Sequence, residues 1–511
     1  MKAESTAVLL PRTVFEAGAD KDIELECTLA DYLPNINRII RASADIVCDD
    51  VQISGGKAEV SGKAEFTLLY ESDFNGKLQC EKYSTDFTHR FDLKDLPEDE
   101  LIPEAGARCS YVGCKTLNPR RFILRCRADI TLEIKCMQSV PAVSMQDTEG
   151  AYFRSERHRL AVYNPRIVRD FSMEENIPLE TMPPVGDIIY TSLNFSSGEI
   201  TTAPGSAVIR AEADFRCLYE KEDGDGELQL AERRFPIVLT VDDDCLNEDS
   251  ELKFKLSVKS IESEKDIDAY GENRVIILKY CVRAEIDCTH RAETDIPTDM
   301  FFEDYETENK LQDLPYEEPL KELRHRFIFE KIFEIPEMTI EKCMDVNADI
   351  SISEAVLTDD GLSVKGNCGI NVFGKSANGY SSYDCSGAFS EIIPFSAGEG
   401  GADCRFRISA EAQNPAADAS GGRLSVRVPV QLCISAVCKK SLKALASAEI
   451  EKRADSDAEI KPIIIYYPQK GESAWDIGRR YHTNPAGISE SNSEAFDKNG
   501  LVNADGVVLY M

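Results

Sequence analysis

The sequence predicts a mainly β protein, with three tandem β-sandwich or barrel-like modules followed by a small α+β unit of order βααβ. Three observations carry this reading. One alternating segment recurs in phase along the chain, glycine turns follow each copy at matched offsets, and the sequence changes style after residue 461. At roughly 100–200 residues per domain, a 511-residue chain also predicts three or four domains rather than one.

The recurring segment is clearest at Ala58–Glu71, where every even position is small or apolar. That period of two marks a strand with one buried and one wet face. Ala207–Glu220 repeats the phase and shares Phe-x-x-Leu-Tyr-Glu, and Leu362–Phe373 is a weaker third copy. Gly76, Gly226 and Gly379 follow the copies and read as hairpin turns. Upstream, Ile39–Ile46 aligns with Ile188–Phe195 and with Ala348-Asp349-Ile350. Downstream, Phe122–Ile130 aligns with Leu278–Ile286 through one insertion. Leu424–Val428 begins the third version, where Pro429 predicts an edge strand or an early bulge.

These markers place the modules at 14–138, 173–290 and 327–438, with connectors at 139–172 and 291–326. Arg154, Arg157 and Arg159 in the first connector, and the acidic run Phe301–Glu308 in the second, read as solvated faces. Residues 439–461 form a linker in which Lys439–Ala446 predicts a helix or a tether.

The closing unit, 462–511, opens with a β-branched and aromatic strand, Ile463–Tyr467. Pro468–Ser473 is a turn ending in a helix N-cap, and Ala474–Tyr481 follows with helical spacing. Asn484–Asn492 reads as a second short helix, and Asp505–Tyr510 as a closing strand after a glycine turn. Trp475, the sole tryptophan, reads as core of a tiny domain or as an amphipathic anchor at a partner interface.

Charge and composition exclude several functions. Lys+Arg is 58 against 91 Asp+Glu, a formal charge of −33, which repels phosphate backbones and anionic membranes; nucleic-acid binding is not expected. The N-terminal apolar run Ala7–Leu10 is too short for a signal-peptide core, and no stretch of about 18 apolar residues predicts a membrane helix. A cytoplasmic protein without membrane insertion is therefore expected. The 17 cysteines include no Cys-x-x-Cys, and with 5 histidines no zinc-ligand spacing arises. Reduced core thiols such as Cys126, Cys217 and Cys368 are expected, with no metal and no other cofactor. There is no Gly-x-Ser-x-Gly, no His-Glu-x-x-His and no Walker A loop, since Gly56 and Gly62-Lys63 have the wrong spacing. No catalytic residue is nominated; the expectation is a protein that is not an enzyme.

The closing βααβ order resembles a LysM domain. Lys470-Gly471-Glu472-Ser473, Trp475, Ile477, Tyr481, Ile488, Asn492, Gly506 and Leu509 carry the match. Gly478 stands where that family usually has alanine, which weakens the first helix. Ser493–Ala504 is a longer excursion along one wall of the groove in which LysM domains hold N-acetyl sugars.

Three acidic β-repeats ahead of such a unit resemble the SipL-type clostridial spore-coat morphogenetic proteins, built from SPOCS modules. The resemblance rests on Asp31–Ile40, the Phe-x-x-Leu-Tyr strand and Asn118-Pro119-Arg120, with Pro183–Asp187 and Asn414-Pro415 as divergent counterparts. It implies a non-enzymatic scaffold or adaptor for coat morphogenesis in sporulation, in the mother-cell cytoplasm at the forespore surface. Such a protein tethers coat layers by binding the basement-layer morphogenetic ATPase, stage IV sporulation protein A, through LysM, with other coat proteins as further partners. The expected partner-binding residues are Ile463, Lys470, Gly471, Trp475 and Ile477. The alternative is a peptidoglycan- or N-acetylglucosamine-binding protein whose groove is formed by Gly471, Glu472, Ser473, Asn492, Asp505 and Gly506.

Overall fold

The computed structural model describes residues 5–145, 150–224, 226–320, 322–335, 339–377, 379–395, 403–452, 463–469, 471–497, 500–503 and 506–510. The protein is mainly β. Strands β1 (Ser5–Thr28), β2 (Ile36–Ser54), β3 (Lys57–Ser72), β4 (Leu78–Asp92), β5 (Leu101–Asn118) and β6 (Arg121–Val143) build a first sheet pair. One sheet is ordered β2-β3-β4 and the other β1-β6-β5. After β7 (Tyr152–Tyr163), the second pair uses β8 (Ile167–Pro178), β9 (Val185–Ala203), β10 (Ser206–Lys221), β11 (Leu228–Asp242), β12 (Glu251–Asp266) and β13 (Val275–Phe301). After β14 (Tyr305–Pro319), the third uses β15 (Leu323–Glu334), β16 (Ile340–Thr358), β17 (Gly361–Ser376), β18 (Gly379–Ile393), β19 (Cys404–Ala412), β20 (Ala416–Ser420) and β21 (Arg423–Lys452).

The alternation explains each sandwich. In β3, Ala58, Val60, Ala64, Phe66 and Leu68 are all buried between the two sheets, facing Phe122, Leu124 and Ile130 of β6 in one core. In β10, Ala207, Ile209, Phe215 and Cys217 do the same against Ile276 and Leu278 of β13, and in β17 Val364, Cys368, Ile370 and Val372 do so against β21. Burial pushes the Cys217 and Cys368 thiols up to about 12. They are therefore poor nucleophiles and behave as small apolar residues.

Four expectations are corrected. The downstream alignment is displaced by two residues: Leu29 N–H bonds Arg120 O and Leu179 N–H bonds Arg274 O, so Phe122 corresponds to Ile276, not Leu278. A two-residue shift keeps the same face inward, which is why the alternation did not reveal it. Of the two readings of Pro429 the edge strand is corrected, since it lies in the central strand β21 paired with Ile328 of β15, while the bulge is nearer: Ala412 to Ala416 spans one residue more than the facing Val430 to Arg427. The Pro429 carbonyl accepts from Gln413 N–H in the gap between β19 and β20. A strand residue's N and C=O point the same way, so the missing N–H faces that gap. Lys439–Ala446 is neither helix nor tether but strand, paired with β14. Cys404 and Cys438 are not reduced: they stand opposite one another on β19 and β21, Cα atoms 4.0 Å apart, and form a disulfide.

The sandwiches close into a ring. β4 touches β9, β11 touches β16, and β18 touches β2. Lys77 pairs with Glu220 at 2.7 Å, the Tyr380 hydroxyl accepts from Leu228 N–H at 3.1 Å, and Arg38 donates to Tyr380 O at 2.8 Å. On the axis, Leu69, Leu218 and Phe373 share a small core with Leu78, Leu228 and Tyr380. Opposite the first three of these, in identical register, stand Arg41, Tyr190 and Asp345. The Asp345 carboxylate accepts from Arg41 at 2.8 Å, from the Tyr190 hydroxyl and from Arg216 at 3.3 Å. Burial raises its pKa, but Arg41, Tyr190 and Arg216 outweigh that and hold it below the ordinary value.

A second ionic layer lies beneath. Glu104 of β5 takes Lys135 of β6 at 2.9 Å, Arg166 ahead of β8 at 2.8 Å and Arg407 of β19 at 2.9 Å, one cation from each sandwich. Below it, β1 with the end of β6, β7 with the end of β13, and β14 with the end of β21 form three two-stranded ribbons. Leu10, Ala142, Leu160, Ile296, Leu314 and Leu442 bury one face of each ribbon in a shared core.

Asp345→Ala leaves Arg41 buried without its anion, and removing one partner of a buried pair costs about 3–5 kcal/mol. The check is urea unfolding; a loss under about 1 kcal/mol, typical of exposed pairs, would show that the carboxylate does not hold the ring. Glu104 is pushed up by burial but drawn down to about 2 by Lys135, Arg407 and Arg166, from an ordinary value of 4.5. Its stabilisation is thus present above pH 4.5 and lost as pH falls towards 2. Glu104→Gln is expected to lower the melting temperature at pH 7 and flatten its decline across that window.

Candidate functional site

The C-terminal unit is built on its own core. Strands β22 (Ile463–Tyr466) and β23 (Val507–Tyr510) pair antiparallel. Helices α1 (Ala474–Tyr481) and α2 (Pro485–Ser491) lie between them in sequence. Ser473 caps α1: its Oγ accepts from Asp476 N–H at 3.2 Å while the Asp476 carboxylate accepts from Ser473 N–H at 3.0 Å, a reciprocal capping box. Asn484 Oδ1 caps α2 through Ala486 N–H at 2.9 Å, with Pro485 following it at the first helical position. Ile477, Ile488, Val502, Val507 and Leu509 fill the interior, with Ile464 and Tyr466 packed against them.

Because β22 alternates, Ile463 and Ile465 take its other face, and with Tyr467 just past the strand they are 58%, 63% and 74% exposed. Ile463 therefore sits on an open apolar stripe. Gly471 holds the turn ahead of α1 at φ +89°, a conformation that favours glycine. Ile477 is wholly buried, so it positions α1 and touches nothing outside. Lys470 and Asp505 lie outside the described residues.

The polar residues nominated for a sugar groove are engaged within the unit. Asn492 Nδ2 donates to Ile488 O at 2.9 Å and to Val508 O at 2.8 Å, while its Oδ1 accepts from Val508 N–H at 2.8 Å, stitching α2 to β23. The Glu472 carboxylate accepts from the Tyr466 hydroxyl at 2.8 Å and Gln469 N–H at 2.9 Å, and pairs with Arg480 at 2.8 Å. Ser473 is the helix cap. Gly506 lies beside Tyr466 and Tyr467, its place for a Cβ 3.7 Å from Tyr466 O.

Trp475 faces its own chain. Its Nε1 donates to Asp299 Oδ2 at 3.0 Å, and its ring meets Phe301 edge-on with centroids 5.0 Å apart. Arg479 pairs with the same carboxylate, and His482 Nδ1 lies 3.0 Å from Phe302 O. The acidic run 301–308 is a solvated face only in part: Glu303, Asp304, Glu306 and Glu308 are exposed, while Phe301 and Phe302 are buried. Asp299, Arg479 and His482 were not anticipated. The adjacent pair Phe301-Phe302 inside an acidic run was the available signal.

Gly478 is required by packing rather than tolerated. A Cβ there would lie 2.7 Å from Thr483 O and 2.9 Å from Pro485 Cγ, so α1 and α2 approach only because it is absent. Gly478→Ala is expected to destabilise the unit by about 1–3 kcal/mol through overpacking, although alanine is the better helix former by about 1 kcal/mol. Amide hydrogen exchange in α1 reads this directly, and slower exchange in the variant would contradict it.

Among the described residues, no cluster of His, Cys, Asp and Glu is placed to hold a metal ion, and no helix is long and apolar enough to cross a membrane. No curated protein and no solved structure matches the chain. Residues 35–115, which run from the approach to β2 through most of β5, match the family model described as SipL, SPOCS domain.

Proposed function

We propose that the chain is a non-enzymatic scaffold of spore-coat assembly, in which SPOCS-type sandwiches at 14–138, 173–290 and 327–438 carry a LysM-like unit at 462–511. Through that unit it binds the basement-layer coat ATPase and tethers coat layers to the forespore from the mother-cell side. The observation that carries this is the SPOCS match over residues 35–115. A βααβ unit with its own core and an exposed apolar stripe at Ile463, Ile465 and Tyr467 supports it. An open apolar surface on a small folded unit suits a protein partner, whose hot spots are buried apolar anchors ringed by polar groups. Asn492, Glu472 and Ser473 are committed to internal hydrogen bonds, so among the described groove residues the sugar reading keeps only the backbone of Gly471 and Gly506.

The test is capture of purified coat ATPase by the full chain. Ile463→Arg places a charge on the exposed stripe without touching the core. It is expected to weaken capture at least tenfold, about 1.4 kcal/mol, with an unchanged melting temperature. Full capture by the variant, or none by the wild type, removes the reading.

A further inference from the structure

We propose that the Trp475 face of α1 is a recognition surface for an acidic–aromatic segment, and that Asp299-Met300-Phe301-Phe302 of this same chain occupies it in the present arrangement. Three kinds of contact define what the surface reads. The indole N–H donates to Asp299 Oδ2 at 3.0 Å, and the Arg479 guanidinium holds that same oxygen. The indole lies edge-to-face on the Phe301 ring, centroids 5.0 Å apart. His482 Nδ1 reaches the main-chain carbonyl of Phe302 at 3.0 Å. A carboxylate, an aromatic ring two residues later and the next carbonyl are thus recognised together, which is sequence-selective chemistry rather than general apolar packing.

The contact is separate from the cores on either side of it. Ile477, Ile488, Val507 and Leu509 close the interior of the C-terminal unit without any residue from the ribbons. Met300, Phe302, Leu445 and Ile450 close the ribbon end without any residue from the C-terminal unit. Undocking therefore exposes the Trp475 face and leaves both cores filled. The outside partner this face fits is a protein segment carrying Asp or Glu two residues ahead of an aromatic pair, and it binds in competition with the internal copy. This rests on the reading of the C-terminal unit as a partner-binding module.

Trp475 is the only tryptophan, so its fluorescence in the intact chain reports this surface alone. The first measurement is the emission and acrylamide quenching of wild type, Asp299→Ala and Arg479→Ala, the last leaving the ribbon unaltered. Both variants are expected to show red-shifted emission and at least twofold stronger quenching, with circular dichroism unchanged. The second titrates each protein with a peptide of residues 297–306, Pro-Thr-Asp-Met-Phe-Phe-Glu-Asp-Tyr-Glu. Saturable return of the wild-type emission in Asp299→Ala, no response in wild type, and none with the peptide's first Asp and both Phe replaced by Ala would establish the surface. Unaltered emission in both variants, or no peptide binding by Asp299→Ala, overturns it. Coat-ATPase capture is read separately. Stronger capture by Asp299→Ala makes the ATPase the competing partner. Unchanged capture beside a positive peptide titration supports the surface and counts against the ATPase as its occupant.

Discussion

Asp345 is where the three sandwiches meet, and the ring depends on the charge it carries. Arg41, Tyr190 and Asp345 hold one position in three repeats, each opposite the corresponding residue of the middle strand. Identical repeats would bring three copies of one side chain to the axis, and three buried like charges repel. A cation, a hydroxyl and an anion instead satisfy each other, with Arg216 adding a second cation. Divergence between the copies thus lets charged side chains meet on the axis beside the apolar Leu69, Leu218 and Phe373. The same logic governs the layer below, where Glu104 collects one cation from each sandwich.

What the sequence disclosed was whatever obeys a local period. Alternation along Ala58–Glu71 and Ala207–Glu220 announces strands because burial on one face writes itself into every second residue. The helices of the C-terminal unit are as legible, since caps and turns are chemistry between near neighbours. The ribbons were hidden for the opposite reason. Lys439–Ala446 has helix-forming composition, yet Leu442, Ala444 and Leu445 are buried by strands far away in sequence, and tertiary packing overrides propensity. Cys404 and Cys438 are 34 residues apart, and only the register of β19 on β21 brings them together.

The candidate site divides along the same line. Ile463 was legible as part of a strand and Ile477 as part of a helix, but the docking of Trp475 depends on Asp299 and Phe301, which lie beyond any local pattern. Asn492 shows how a residue shared with a sugar-binding family can have a structural duty: its amide joins α2 to β23 at both ends. Gly478, which reads as a defect of helix propensity, is a steric necessity once α2 is in place.

The ring formed by β4 on β9, β11 on β16 and β18 on β2 has the connectivity of three subunits arranged head to tail, yet one chain supplies all of it. A ring of separate chains falls apart on dilution, because each dissociation releases independent particles. Here the neighbours are tethered, so closure is intramolecular and set by effective concentration rather than by the amount of protein present. The first molecules made, at the lowest abundance, close their rings as completely as the last.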